Sequence, residues 1–318
     1  MINILKNKRK MNKKGVFFTI LAIALLSLFL VSYGIYSFVQ NREGINKRIK
    51  TMNSFVSSLD TDIPRKLYIT GYRTIFVLEE DVIKNGEYIN DLNSTFKTAF
   101  FTGMINGKDY TTLDAEGNLG LLFGVIFPDI KADINEKANS LNINVNFTNL
   151  NISISQDDPW SVKISLKSNL IIKDRGGLAL WNKTEDYYVY IPIKNFEDPV
   201  YLINTNTKVS NKFEQATYEI PMSSSNLIAH AENSYYINHT DAPSFLKRLQ
   251  GDLSADENGI ESLVNTHELS SQGIIPIEKC IIDYIYFSSD NPDYYVPAGV
   301  PTWIKIQDNL EHKNIYGS

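Results

Sequence analysis

VFFTILAIALLSLFLVSYGIYSFV, residues Val16 to Val39, is almost wholly apolar, and no charged residue occurs between Gly15 and Asn41. About twenty such residues suffice to cross a bilayer as a helix. Buried core helices of soluble domains seldom run this long without a charge. The stretch therefore predicts a single membrane-spanning helix, and membrane lipid is its first expected partner.

The flanks set the expected orientation. Lys6, Lys8, Arg9, Lys10, Lys13 and Lys14 precede the span, whereas Arg42, Lys47, Arg48 and Lys50 follow it, offset by Glu43. The excess on the upstream side favours a cytoplasmic N-terminus and an extracytoplasmic head. No small-residue cleavage site of the ordinary secretory kind follows the apolar run, so removal by that route is not expected.

The junction itself carries a different processing signal, Lys13-Lys14-Gly15 immediately before Val16-Phe17-Phe18-Thr19-Ile20. Over roughly its first sixty residues the chain resembles archaeal type IV pilin-like proteins, in which a basic pair and a glycine precede a continuous hydrophobic helix. The resemblance implies a class III signal peptide cut by a prepilin-type peptidase between Gly15 and Val16. It also implies a helix that packs with other pilin-like subunits, or with copies of itself, in a filament core. Ile20 stands at the fifth mature position, where many pilins have glutamate, and a mature chain of about 300 residues exceeds the usual major subunit. The resemblance thus points to a minor or tip subunit, or to a surface protein outside any filament.

Beyond the span, Phe38, Ile45, Ile49, Met52, Val56, Leu59 and Ile63 recur in heptad order, which predicts that the helix continues as an amphipathic stalk. This stripe either joins a partner helix or closes the chain's own core. A second helix is expected to start near Asp62, with Pro64 in its first turn, and to end at Asn85-Gly86. A third is expected over 90–101, ending at Gly103. Further helical signals cover 119–127 and 129–141 on either side of Pro128, the first apolar on all sides and read as a buried helix or strand.

After residue 140 the apolar period falls to two. Leu141, Ile143, Val145 and Phe147, then Leu150, Ile152 and Ile154, then Trp160, Val162, Ile164 and Leu166, with Leu170 and Ile172, read as half-buried strands of an antiparallel sheet. Residues 188–193 continue it, with a turn at Asp198-Pro199 leading to another strand. Short helices are expected over 243–249 and 259–264, beginning near Ser244 and Asn258, and a closing strand over 281–287. The fold class is therefore α+β. Its expected parts are a basic cytoplasmic leader (1–15), a membrane helix with its stalk (16–63), a mainly helical part of the head (64–140), a β-rich head with small inserted helices (141–305) and a polar tail (306–318).

Charge and site chemistry limit the function classes. The first fifty residues hold ten Lys or Arg against Glu43 alone, and the remainder carries −14, a balance that argues against a nucleic-acid partner. The lone Cys280 sits among apolar neighbours and reads as a buried structural thiol. The histidines, His230, His239, His267 and His312, show no pair at helical metal-ligand spacing. His230, His239 and Asp241 are the one trio that spatial convergence would have to assemble. Asp252, Ser254, Asp256 and Glu257 are rich in oxygen but lack the glycine and the final acid of an EF-hand, and read as a solvated loop. There is no nucleophile elbow and no phosphate-cradling loop, so the chain reads as non-enzymatic, with no catalytic residue, no metal ligand set and no cofactor.

Five Asn-x-Ser/Thr sequons, at Asn93, Asn146, Asn151, Asn182 and Asn238, are candidate N-glycosylation sites on the exterior side, at about the number chance supplies. The expected function, implied by the resemblance, is a pilin-like surface protein with a structural or adhesive head. The alternative is an uncleaved single-pass anchor carrying an extracytoplasmic ligand-binding or envelope-organising domain.

Overall fold

A computed structural model describes residues 13–113 and 117–317 of the chain. The expected leader over residues 1–12 lies outside the described residues, as do the side chains of Lys13 and Lys14. The fold is α+β, with a long N-terminal helix, further helices and small antiparallel sheets.

Helix α1 runs without interruption over Lys13–Asn85, 73 residues, or roughly 110 Å at 1.5 Å per residue. This corrects the expected break at Asp62, because Pro64 lies inside the helix. Proline removes one intrahelical hydrogen bond. The helix survives it because Leu59, Ile63 and Leu67, on either side of Pro64, are buried on one continuous face. Asp62 is no cap; it meets Lys137 at 3.3 Å and Arg65 at 3.9 Å.

The two halves of α1 differ in what surrounds them. Sixteen large apolar side chains from Phe17 to Val39 are exposed, as are Ile45 and Ile49. From Met52 onward the stripe is covered: Met52, Phe55, Leu59, Ile63, Leu67, Ile75 and Leu78 all enter the core. Of the two readings of the heptad pattern, closure of the chain's own core therefore holds from Met52, whereas Phe38, Ile45 and Ile49 stay uncovered.

The rest of the first core is laid around this spine. Gly86, in the left-handed conformation at φ 68°, ends α1. Helix α2 (Leu92–Thr102) begins at Asp91, whose carboxylate accepts from the Ser94 amide, and ends at Gly103. A two-stranded hairpin, β1 (Met104–Ile105) and β2 (Lys108–Asp109), leads toward α3 (Phe127–Ser140), where Pro128 occupies the first turn. The apolar run 119–127 is neither the helix nor the strand expected. Residues 119–126 form a loop bonded to Tyr110 and Thr112 through the Leu122 and Gly120 amides, at 2.9 Å each. Only Leu122 is buried; Leu119, Leu121 and Phe123 face solvent beside Tyr72 and Phe76.

Three long strands, β3 (Ile143–Asp158), β4 (Ser161–Asp174) and β5 (Leu180–Pro192), form an antiparallel meander in the order β3-β4-β5. The apolar positions of β3 switch from odd numbers (Ile143, Val145, Phe147) to even (Ile152, Ile154). A register shift between Thr148 and Asn151, with Asn149 at φ 52°, absorbs the switch so that both sets face the core. The meander packs on the upper half of α1.

After β5 the chain departs from the expected strands. Asp198 caps a helix, α4 (Pro199–Asn204), by accepting from the Val200 amide at 2.8 Å, so Asp198-Pro199 starts a helix and not a hairpin. Then follow α5 (Ser224–Asn233), β6 (Tyr236–Asn238), α6 (Phe245–Leu249), β7 (Ile260–Ser262), α7 (Thr266–Ser271) and α8 (Asp283–Tyr286). The segment 259–264 is thus strand where a helix was expected, and 281–287 is mainly helix where a strand was expected. Both runs are short, with polar residues (Glu261 and Ser262, and Asp283) set among apolar ones, so periodicity does not separate the two states. The expected polar tail is likewise corrected: β8 (Tyr294–Tyr295) pairs with β9 (Ile306–Gln307), and α9 (Leu310–Tyr316) buries His312 and Tyr316. These elements enclose a second core around Leu227, Ile237, Leu263, Cys280, Ile285 and Ile304.

Candidate functional site

The strand β7 divides two buried polar clusters. Its three residues are all buried, and because successive side chains of a strand point to opposite faces, Glu261 projects one way and its neighbour Ser262 the other. The pairing of β6 with β7 sets Ile237 opposite Glu261 and Tyr236 opposite Ser262.

On the Ser262 side lies Arg248, fully buried on α6. Its Nη1 is 2.6 Å from Asp198 and 2.9 Å from Asp283, and its Nη2 donates to the Ile260 carbonyl. Tyr236 donates to Asp198 at 2.8 Å, and Ser262 donates to Asp283 at 2.8 Å while sharing a hydrogen bond with Tyr201. Burial pushes the Asp283 carboxyl up to about 6 although Arg248 opposes it. Burial alone would lower the Arg248 guanidinium, but the carboxylates of Asp198 and Asp283 reverse this and hold it above its ordinary value. Every carboxylate oxygen that meets Arg248 has a second donor, which makes this a structural brace joining α4, α6, α8 and the β6–β7 pair.

On the Glu261 side, His239 and His312 meet the same carboxylate oxygen. Oε2 of Glu261 is 3.3 Å from Nε2 of His312 and 3.6 Å from Nδ1 of His239. Tyr316, one turn after His312 on α9, donates its hydroxyl to the other oxygen, Oε1, at 2.8 Å. The two imidazoles stack with centroids 4.6 Å apart and planes at 18°. Burial would raise the Glu261 carboxyl, but the His312 hydrogen bond and the two imidazoles hold it below its ordinary value. One donor atom from each of His239, Glu261 and His312 falls within 4.8 Å of the others. Two imidazoles and a carboxylate are a donor set suited to a divalent metal. The outer edge of His239 faces Glu311 at 3.7 Å, and with Asp241 these form a second, solvent-exposed group.

The other singled-out residues lie apart. His230 does not join His239 and Asp241; it is enclosed beside Tyr218 and Tyr316, and burial lowers it to about 4. His267 packs on the Trp303 ring at 4.9 Å. The loop with Asp252, Ser254 and Asp256 surrounds the Lys247 ammonium, which donates to Ser254 Oγ and the Ala255 carbonyl and lies 3.9 and 3.8 Å from the two aspartates. Cys280 is fully buried, and burial pushes its thiol up to about 12. Gly15 and Val16 lie in the first turn of α1, and all five sequon asparagines, Asn93, Asn146, Asn151, Asn182 and Asn238, are exposed.

A further buried acid stands on α1. Glu79 accepts from the Glu197 amide, its Oε2 has no partner, and burial pushes it up to about 8 beside a cavity of about 310 Å³ lined by Phe76, Ile83, Asn195 and Lys212.

Comparison with protein-family models, with curated proteins and with solved structures found no match.

Proposed function

We propose that this chain is a pilin-like, membrane-anchored surface protein whose head has a structural or adhesive role, as a minor subunit of a type IV pilus-like filament. The observation that carries the reading is the division of α1. One uninterrupted helix is bare over its apolar first half and serves as the spine of the head over its second half. Sixteen exposed large apolar side chains, at about 1.5–3 kcal/mol each for full burial, represent tens of kcal/mol that water does not satisfy. Lipid satisfies them in an anchor, and neighbouring helices satisfy them in a filament core. In this reading the N-terminus is cytoplasmic, the head is extracytoplasmic, and a prepilin-type peptidase releases the leader after Gly15.

The test replaces Gly15 with leucine in the native cell. The proposal expects a chain that keeps its leader, stays with the membrane and disappears from the surface material released by shearing. Unchanged mass and unchanged surface assembly would leave the uncleaved single-pass anchor as the better reading.

A further inference from the structure

The geometry points to a metal site: we propose that His239, Glu261 and His312 bind one divalent transition-metal ion, Zn²⁺ by preference, which clips α9 to the β6–β7 pair. Distance is the first argument. Charge-assisted hydrogen bonds run at about 2.7–2.9 Å, and the contacts of Glu261 Oε2 with the two imidazoles, 3.3 and 3.6 Å, are long for that class. Two ligands of a tetrahedral Zn²⁺, each about 2.0–2.1 Å from the ion, stand about 3.3 Å apart. The two spacings from Oε2 are close to that of a ligand shell, and all three donor atoms lie within 4.8 Å of one another.

Convergence is the second argument. The stacked rings turn Nδ1 of His239 and Nε2 of His312 toward one oxygen, Oε2 of Glu261. A dication accepts from all three donors at once. The one hydrogen bond at Nδ1 of His239, from the Asp241 amide, is long at 3.3 Å, and the ion takes its place.

The support around the donors is the third. Tyr316 fixes Glu261 through Oε1, leaving Oε2 for the imidazoles, and such outer partners orient metal ligands. The donors come from the end of β6, from β7 and from α9, so a bound ion cross-links three distant stretches of chain. Glu261 and His312 are fully buried and His239 is 7% exposed. Three protein donors fill three tetrahedral positions, and the proposed role of the ion, clipping α9 to the β6–β7 pair, rests on the burial of those donors.

The experiment uses the full chain in detergent, stripped of metal with a chelator, then titrated with Zn²⁺ in competition with a chromophoric chelator while thermal unfolding is followed. One Zn²⁺ per chain and a higher unfolding midpoint are expected. Glu261→Gln and His239→Asn should each weaken binding at least tenfold, and Tyr316→Phe by roughly tenfold to a hundredfold. Asp241→Asn, whose carboxylate belongs only to the exposed group, should leave the affinity unchanged. His239→Asn, at the edge of the cluster, keeps the test decisive if Glu261→Gln does not fold. The proposal is overturned if the native chain binds no Zn²⁺ at micromolar concentration, if both inner variants bind as tightly as the native chain, or if binding follows Asp241 in place of Glu261.

Discussion

At Gly71 a single hydrogen atom sets how closely α1 approaches the sheet. A Cβ there would run into Ile164 Cδ1 and come within 2.8 Å of Ile191 Cδ1, and both isoleucines are fully buried. In an exposed helix alanine would be worth up to about 1 kcal/mol over glycine. Here overpacking of about 1–3 kcal/mol outweighs it, so Gly71→Ala should lower the urea midpoint, and a raised midpoint would mean a looser helix–sheet contact. Glu79 gives a pH signature. Burial lifts its folded pKa from 4.5 to about 8 against the smaller opposing effect of the Glu197 amide. The folded state therefore holds a proton that the unfolded state releases, and the stability from this group is present below about 4.5 and lost as pH rises through 8. Urea unfolding at pH 5 and pH 8 should show Glu79→Gln gaining on the native chain at the higher pH, by a few kcal/mol at about 1.4 kcal/mol per unit. A gap that stays constant would contradict the buried, raised carboxyl.

Among the elements, α1 makes a direct prediction about its proline. If packing holds the helix through Pro64, then Pro64→Ala restores an intrahelical hydrogen bond and should stabilise the head by about 1–3 kcal/mol. If Pro64 instead began a separate helix, the same change would be neutral or destabilising, and chemical denaturation distinguishes the two. This is also where the sequence misleads. Asp62 and Pro64 carry local start signals, but the buried face from Met52 to Leu78 is a tertiary fact that overrides them. Where the signals were not opposed, they held: Gly86 and Gly103 end helices, and the alternation through 143–172 marks the sheet. The short runs at 199–204, 260–262 and 283–286 were unreadable because a segment of three to six residues is too short to show either period. The histidine cluster was hidden for another reason. His312 lies 51 residues from Glu261, and no local spacing announces that α9 folds back onto β7.

For the whole molecule, the two cores are joined by charge as well as by apolar contact. Arg248 bridges Asp198, which follows the sheet, to Asp283 in the second core. Arg248→Met leaves two buried carboxylates without their cation and should cost about 3–5 kcal/mol. Adding Asp198→Asn and Asp283→Asn should recover part of it in thermal unfolding, whereas a mild single mutant would show that the brace is expendable. The head so braced stands on a helix whose free half is apolar on every side, and the proposed function rests on what becomes of that half. Mass spectrometry of the N-terminal peptide, taken from protein isolated from its own cells, tests this most directly. A mature chain beginning at Val16 is the predicted result, and an N-terminus still at Met1, or cut elsewhere, would contradict the pilin-like account.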